Sequence, residues 1–162
     1  MPLEKTRWSE ADFDDLSWHD NHIHSIHFDC HDFESRLRLE IDHIVEWTKP
    51  NPEEFAFWVA PASLVFDHVT DLRIDIEFDS SGYQVVIHQV SIHQISRELV
   101  PVQKICLDRP YYIWTIETNW PAGEISFGAS GFSQVLRANP ILTGEQQLST
   151  HERENLIHKG MR

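Results

Sequence analysis

The sequence predicts an all-β protein, a mainly antiparallel sandwich or barrel of roughly 8–10 strands with short terminal helices. Three observations carry that prediction. Apolar residues recur at every second position through the middle of the chain, the spacing that lines one face of a strand. Proline, glycine and asparagine clusters punctuate these runs at short intervals. Helix-start signals occur only near Ser9 and Ser149.

The elements follow in chain order. SEADFDDL opens with Ser9 as an N-cap, and Glu10, Asp12 and Asp14 suit the positive end of a helix over residues 9–16. The β core is expected over residues 22–135. Ile23–Phe28 is its first strand, and Leu37, Leu39 and Ile41 alternate with charged residues in the second, which continues through Val45 to Trp47. KPNPEE is a turn. EFAFWVA is apolar on both faces and reads as a buried strand. Pro61 in APAS is expected to break the next pair, because proline has no N–H for a central ladder. Leu72 to Phe78 alternates again, and DSSGY is a hairpin loop. GYQVVIHQVSIHQI reads as one bent strand or two. YYIWTIETNW and GEISFGASGF form a further hairpin across NWPAGE, with Gly128 and Gly131 marking a bend. Ser149 and Glu152 have capping-box spacing for a helix over 149–159 that Gly160 ends. With only Leu156 and Ile157 to bury, that segment is expected to fray or to form against a partner. No repeat or linker interrupts the chain, so residues 1–162 read as one domain.

Charge and composition bound the function. Residues 1–81 hold 19 acidic and 6 basic residues, net −13; residues 82–162 hold 7 of each, net zero. Such a field repels phosphate backbones and argues against nucleic acid. It suits a basic protein partner, or self-association, although a soluble, self-repelling surface with no binding role is the commoner reason for such an excess of acid. No apolar run reaches membrane-spanning length, so no membrane partner is expected. The start lacks an apolar leader, and Cys30 and Cys106 do not make a disulfide framework; a cytoplasmic location follows as the expectation.

The most chemical stretch is WHDNHIHSIHFDCHD, Trp18 to Asp32, with five histidines. If Ile23–Phe28 pairs with the leucine-bearing strand, core must face core. Phe28 then opposes Leu37, Ile26 opposes Leu39, His24 opposes Ile41 and His22 opposes His43. This register gathers His22, His24 and His43 on one rim, with Asp20 beside them. Three imidazoles and a carboxylate suit zinc, nickel or iron, Asp20 acting as ligand or as acceptor from a ring N–H. The favoured reading is nevertheless a polar rim whose histidines bond to backbone and carboxylates, with no cofactor expected. In either case nearby carboxylates are expected to favour the protonated rings. Trp18, His19, Asp20 and Arg137 are further binding candidates, Arg137 as an isolated late cation. Ser130 lacks the flanking glycine of a nucleophile elbow. Cys30 between His27 and His31 is weak evidence for an activated thiol. His88 and His93 are five apart, on opposite faces of a regular strand. Trp47, Trp58, Trp114 and Trp120 read as core or rim.

LSWHDNHIHSIHF and FAFWVAPASLVFDHVTDLRIDIEF resemble segments of small uncharacterised bacterial all-β families. In these a Trp/His-Asp step precedes an Ile-x-x-Ile strand. Some similar short acidic β proteins are classed as immunity proteins that neutralise toxins. The resemblance implies a cytosolic bacterial β protein with no assigned reaction. With no complete catalytic set in the sequence, the expectation is a binding protein that presents acid to a basic partner. The alternative is a metal-dependent enzyme using the histidine rim.

Overall fold

The computed structural model describes residues 5–32, 34–80, 83–84, 89–101 and 108–160; side chains are described outside 79–84. His88 and Cys106, and part of the run expected as a strand after Gly82, lie outside these residues. Strands dominate, as the alternation predicts. They are β1 (Arg7–Ser9), β2 (His22–His31), β3 (Glu34–Asn51), β4 (Glu54–Asp67), β5 (Thr70–Ile76), β6 (Asp79–Ser80), β7 (Tyr83–Gln84), β8 (Val90–Leu99), β9 (Tyr112–Trp120), β10 (Gly123–Ala129), β11 (Gly131–Leu136) and β12 (Ile141–Thr143). A 3-10 helix spans Glu10–Asp15, and α1 spans Thr150–Gly160.

Ten of these strands form one open antiparallel sheet, in the order β1-β11-β4-β3-β2-β8-β9-β10-β5, with β12 pairing β4 beyond the end of β11. β6 and β7 form a separate hairpin at DSSGY. The chain passes from β4 to β5, and from β10 to β11, between opposite ends of that order. Both passages are short, through His68–Val69 and through Ser130, so the sheet must fold over on itself. Phe66 of β4 meets Phe127 of β10 with ring centres 4.7 Å apart, and Trp114 of β9 at 5.0 Å. These contacts mark the interior between a first layer (β1, β11, β4, β3, β2) and a second (β8, β9, β10, β5). Edge-to-face packing at such distances adds to the area the rings bury.

The corners are built for close approach. A Cβ on Gly128 would lie 2.6 Å from Tyr111 Oη, so only glycine lets Tyr111 lie across the strand. Ser130 N donates to Asp67 O at 3.0 Å, and Ser130 Oγ lies 2.8 Å from His68 Nδ1. The expectation that Gly128 and Gly131 mark a bend is met here.

The expected break at Pro61 is not. β4 runs unbroken through Pro61, which pairs with Asp42 of β3. On its other side β11 ends opposite Ala62 and β12 begins opposite Val59. Pro61 faces the gap between them, where no ladder N–H is required, and its carbonyl accepts from Arg137 N at 2.7 Å. The β core also runs beyond residues 22–135, since β1 and β12 belong to the sheet.

Both terminal helices form. Ser9 N donates to Asp12 Oδ2 at 2.8 Å, and the segment closes as a 3-10 turn, Leu16 N donating to Phe13 O. The Arg97 guanidinium lies over the Phe13 and Tyr112 rings at 4.2 and 4.5 Å and pairs with Glu10, fastening this turn to the core. In α1, Ser149 N donates to Glu152 Oε2 at 2.9 Å, as the capping-box spacing predicts. The helix docks on its own sheet, against the expectation that it would need a partner or fray. It does so by charge more than by apolar area: Arg153 is its one buried residue.

Candidate functional site

The histidine stretch keeps half of the predicted register. Phe28 opposes Leu37 and Ile26 opposes Leu39. A β-bulge then falls between Ile23 and Ser25, so Ile23 opposes Ile41 and His22 opposes Asp42. One extra residue reverses the parity. Ile23 turns into the core beside Ile41, both fully buried. His22 and the bulged His24 turn to the outer face with Asp42. His43 stays on the inner face, paired with Ala60 and 96% buried. The predicted triad of His22, His24 and His43 is therefore split across the sheet. Among the described residues no group of three or more His, Cys, Asp or Glu side chains is placed to hold a metal ion.

His24 and His43 each have a side-chain partner, whereas among the described residues His22 Nδ1 is buried without a hydrogen-bond partner. On the outer face Asp42, fully buried, accepts from three sides. His24 Nε2 lies 2.7 Å from Oδ2, Leu148 N donates to the same oxygen at 2.8 Å, and Arg153 Nη1 donates to Oδ1 at 2.5 Å. Arg153 also donates to Ile41 O at 2.7 Å and to Glu40 Oε2 at 3.3 Å, and Ser63 Oγ donates to Glu40. This network holds α1 on β3. Beside it Leu148 and Leu156 pack on Ile44, Phe57 and Val59. On the inner face Asn21 Nδ2 lies 2.8 Å from His43 Nδ1, while Asn21 Oδ1 accepts from Ile44 N.

Burial overturns the expected protonation. His43 is pushed down to about 4, because the interior penalises the charged ring. His22 is also lowered; desolvation outweighs the nearby Asp42 and Asp20 carboxylates.

Asp20 braces three elements. It accepts from Asn119 of β9 at 3.0 Å and from Gln146, ahead of α1, at 3.1 Å, and His19 Nδ1 lies 3.2 Å away. Trp18 is buried in the core, and its Nε1 donates to the buried Gln134 Oε1 at 2.7 Å. His19 and Arg137 are exposed. Arg137 lies where β11 ends, away from the histidine turn. Cys30 is a free, exposed thiol near the tip of the β2–β3 hairpin. Trp114 is core, whereas Trp47 and Trp120 are about half exposed, at 47% and 51%.

The two outer faces of the sheet differ in how they handle charge. On the first layer much of the acid is paired locally, Glu46 and Glu54 being exceptions. Arg36 bonds Asp67 at 2.9 Å, Arg38 lies 3.8 Å from Glu40 and 4.0 Å from Asp29, and Arg153 holds Asp42. On the second layer Asp75, Glu124 and Glu117 stand directly side by side on three adjacent strands. Their neighbours Ile74, Ile125 and Ile116 share the other face, the latter two buried, so the carboxylates point outward. Glu98 of β8 lies on the same outer face, as does Arg73, which stands opposite Ser126. Among the described residues none of these four carboxylates has a cation within ion-pair distance. Like charges directly opposite one another on neighbouring strands destabilise a sheet. The face is therefore held at a cost to the isolated fold, and a cationic surface laid over it would relieve that cost.

This face was missed in the sequence, where the acid was assigned to the first half of the chain. The signal was present: Ile116 and Ile125 flank NWPAG, and pairing them as core forces Glu117 opposite Glu124. No protein-family model, curated protein or solved structure matches the chain. No helix of the described residues is long and apolar enough to cross a membrane.

Proposed function

We propose that the protein is a binding module whose outer second-layer face, centred on the Asp75–Glu124–Glu117 row, receives a basic protein. The supporting observation is the contrast between the two faces. Five carboxylates of the first layer lie within ion-pair distance of arginines of the same chain, whereas Asp75, Glu124 and Glu117 of the second stand opposite one another with no cation at that distance among the described residues. A complementary Lys/Arg surface would convert that repulsion into attraction and would speed encounter. A basic toxin held by an immunity-type protein is one partner of this chemistry. The same row brought against its own copy would repel, which disfavours self-association through this face.

Capture from a bacterial lysate on the immobilised protein tests the reading. The wild-type protein should retain a basic partner at about 50 mM salt and lose most of it at about 500 mM, where the Debye length is short. The Asp75→Asn/Glu117→Gln/Glu124→Gln variant should fail to retain that partner at either salt. A partner held equally by that variant, or held independently of salt, would refute the proposal.

A further inference from the structure

A separate site lies at the turn that leads into β2. Asp20 there has φ 62°, a left-handed conformation uncommon for a residue with a side chain. Two backbone bonds hold the turn against β8: Asp20 N donates to Ile92 O at 2.8 Å, and Ile92 N donates to Asn21 O at 2.9 Å. That docking brings residue 19 beside residue 93. His93 is itself the extra residue of a bulge, since Ile92 opposes Thr118 and Gln94 opposes Glu117. Bulges re-aim side chains at the edges of sites. The two imidazoles meet with centroids 5.5 Å apart and planes at 65°.

We propose that His19 and His93 bind a first-row divalent cation of the zinc type. A metal about 2.0–2.1 Å from one nitrogen of each ring would sit about 3.2 Å from each ring centre, and a tetrahedral angle then sets the centres about 5.2 Å apart. The observed spacing matches. Asp20 Oδ2 lies 3.2 Å from His19 Nδ1 and is itself held by Gln146, while Asn119 holds Oδ1. Asp20 thus stands behind His19 on the Nδ1 side, the place of an outer carboxylate to a ring that binds metal through Nε2. Both rings line a groove of about 410 Å³ together with Asp14, Phe13, Trp18 and Ile95. Asp14 lines the groove but is not placed as a third ligand, so the remaining positions fall to water or to a side chain of a bound protein. Imidazole ligands favour zinc, copper or nickel over magnesium or calcium. The site is distinct from the His22, His24 and His43 set and shares none of its histidines.

Titration calorimetry of zinc chloride into the untagged full-length chain tests the proposal, with magnesium chloride as the second titrant. One zinc per chain and no magnesium response are expected. Either His19→Ala or His93→Ala should weaken zinc at least tenfold, while His158→Ala on α1 should leave it unchanged. Asp20→Asn tolerates the left-handed turn and should weaken zinc about tenfold by removing the carboxylate behind His19. In NMR spectra of the wild-type protein the His19 and His93 ring signals should shift together as zinc is added. Non-stoichiometric uptake, uptake unchanged in both single variants, or shifts confined to other histidines would overturn it.

Discussion

Replacing Glu124 with glutamine should make the isolated protein more stable. Glu124 is the middle carboxylate of its row, directly opposite Asp75 on one side and Glu117 on the other. Side chains directly opposite on antiparallel strands start about 4.5–5.5 Å apart at Cβ, and a like-charge pair costs a few tenths to about 1 kcal/mol. Coulomb's law gives the same scale: two unit charges about 6 Å apart in water repel by about 0.7 kcal/mol. Glu124→Gln removes two such contacts, so about 1 kcal/mol should be gained at low ionic strength. For a chain of this size that is roughly 2–4 °C in Tm. Differential scanning calorimetry in low and high salt measures it. The gain should shrink as salt screens the row. Glu98→Gln is the control: its cross-strand neighbour is Ile113, so its effect should be smaller. An unchanged or lowered Tm for Glu124→Gln in low salt, or a gain that high salt does not reduce, would show that the row is not under repulsion.

Three other outcomes follow from the interior. Arg153→Ala leaves fully buried Asp42 without its cation and should cost about 3–5 kcal/mol in urea unfolding, with α1 losing hydrogen-exchange protection first. His43, lowered to about 4, resists a proton that the unfolded chain accepts near 6.5. Stability should therefore be full above pH 6.5 and fall by about 3 kcal/mol as pH drops toward 4, with His22 adding loss of the same sign; His43→Gln should flatten the urea midpoint across that window. Phe66→Ala removes the ring that joins the two layers and should cost about 3–5 kcal/mol in urea unfolding.

The strand pattern was legible because one period of two runs through most of the chain. It was legible even for register where no bulge intervenes, as at Phe28–Leu37 and Ile26–Leu39. The sequence His22-Ile23-His24 alternates whichever residue faces inward, so the bulge that splits the histidines left no trace in it. What decides the matter is tertiary: Ile23 gains full burial beside Ile41, and His24 finds Asp42. Pro61 obeyed the rule applied to it, but the gap between β11 and β12 that admits it arises from residues far along the chain. α1 looked weak because it has little apolar stripe, and its anchor is a charge pair to a residue 111 positions away. Halving the chain placed the acid by sequence position. Among the described residues folding pairs six of the first half's acidic residues with arginines and joins Asp75 to Glu117 and Glu124 from the second half.

The central claim is that the unpaired acidic face is the binding surface, and hydrogen exchange on the complex with the captured partner tests it most directly. Exchange should slow over Tyr112–Trp120 and Gly123–Ala129 and stay unchanged over Glu34–Asn51 and Thr150–Gly160. Protection confined to β3, to the β2–β3 hairpin tip or to α1 would contradict it.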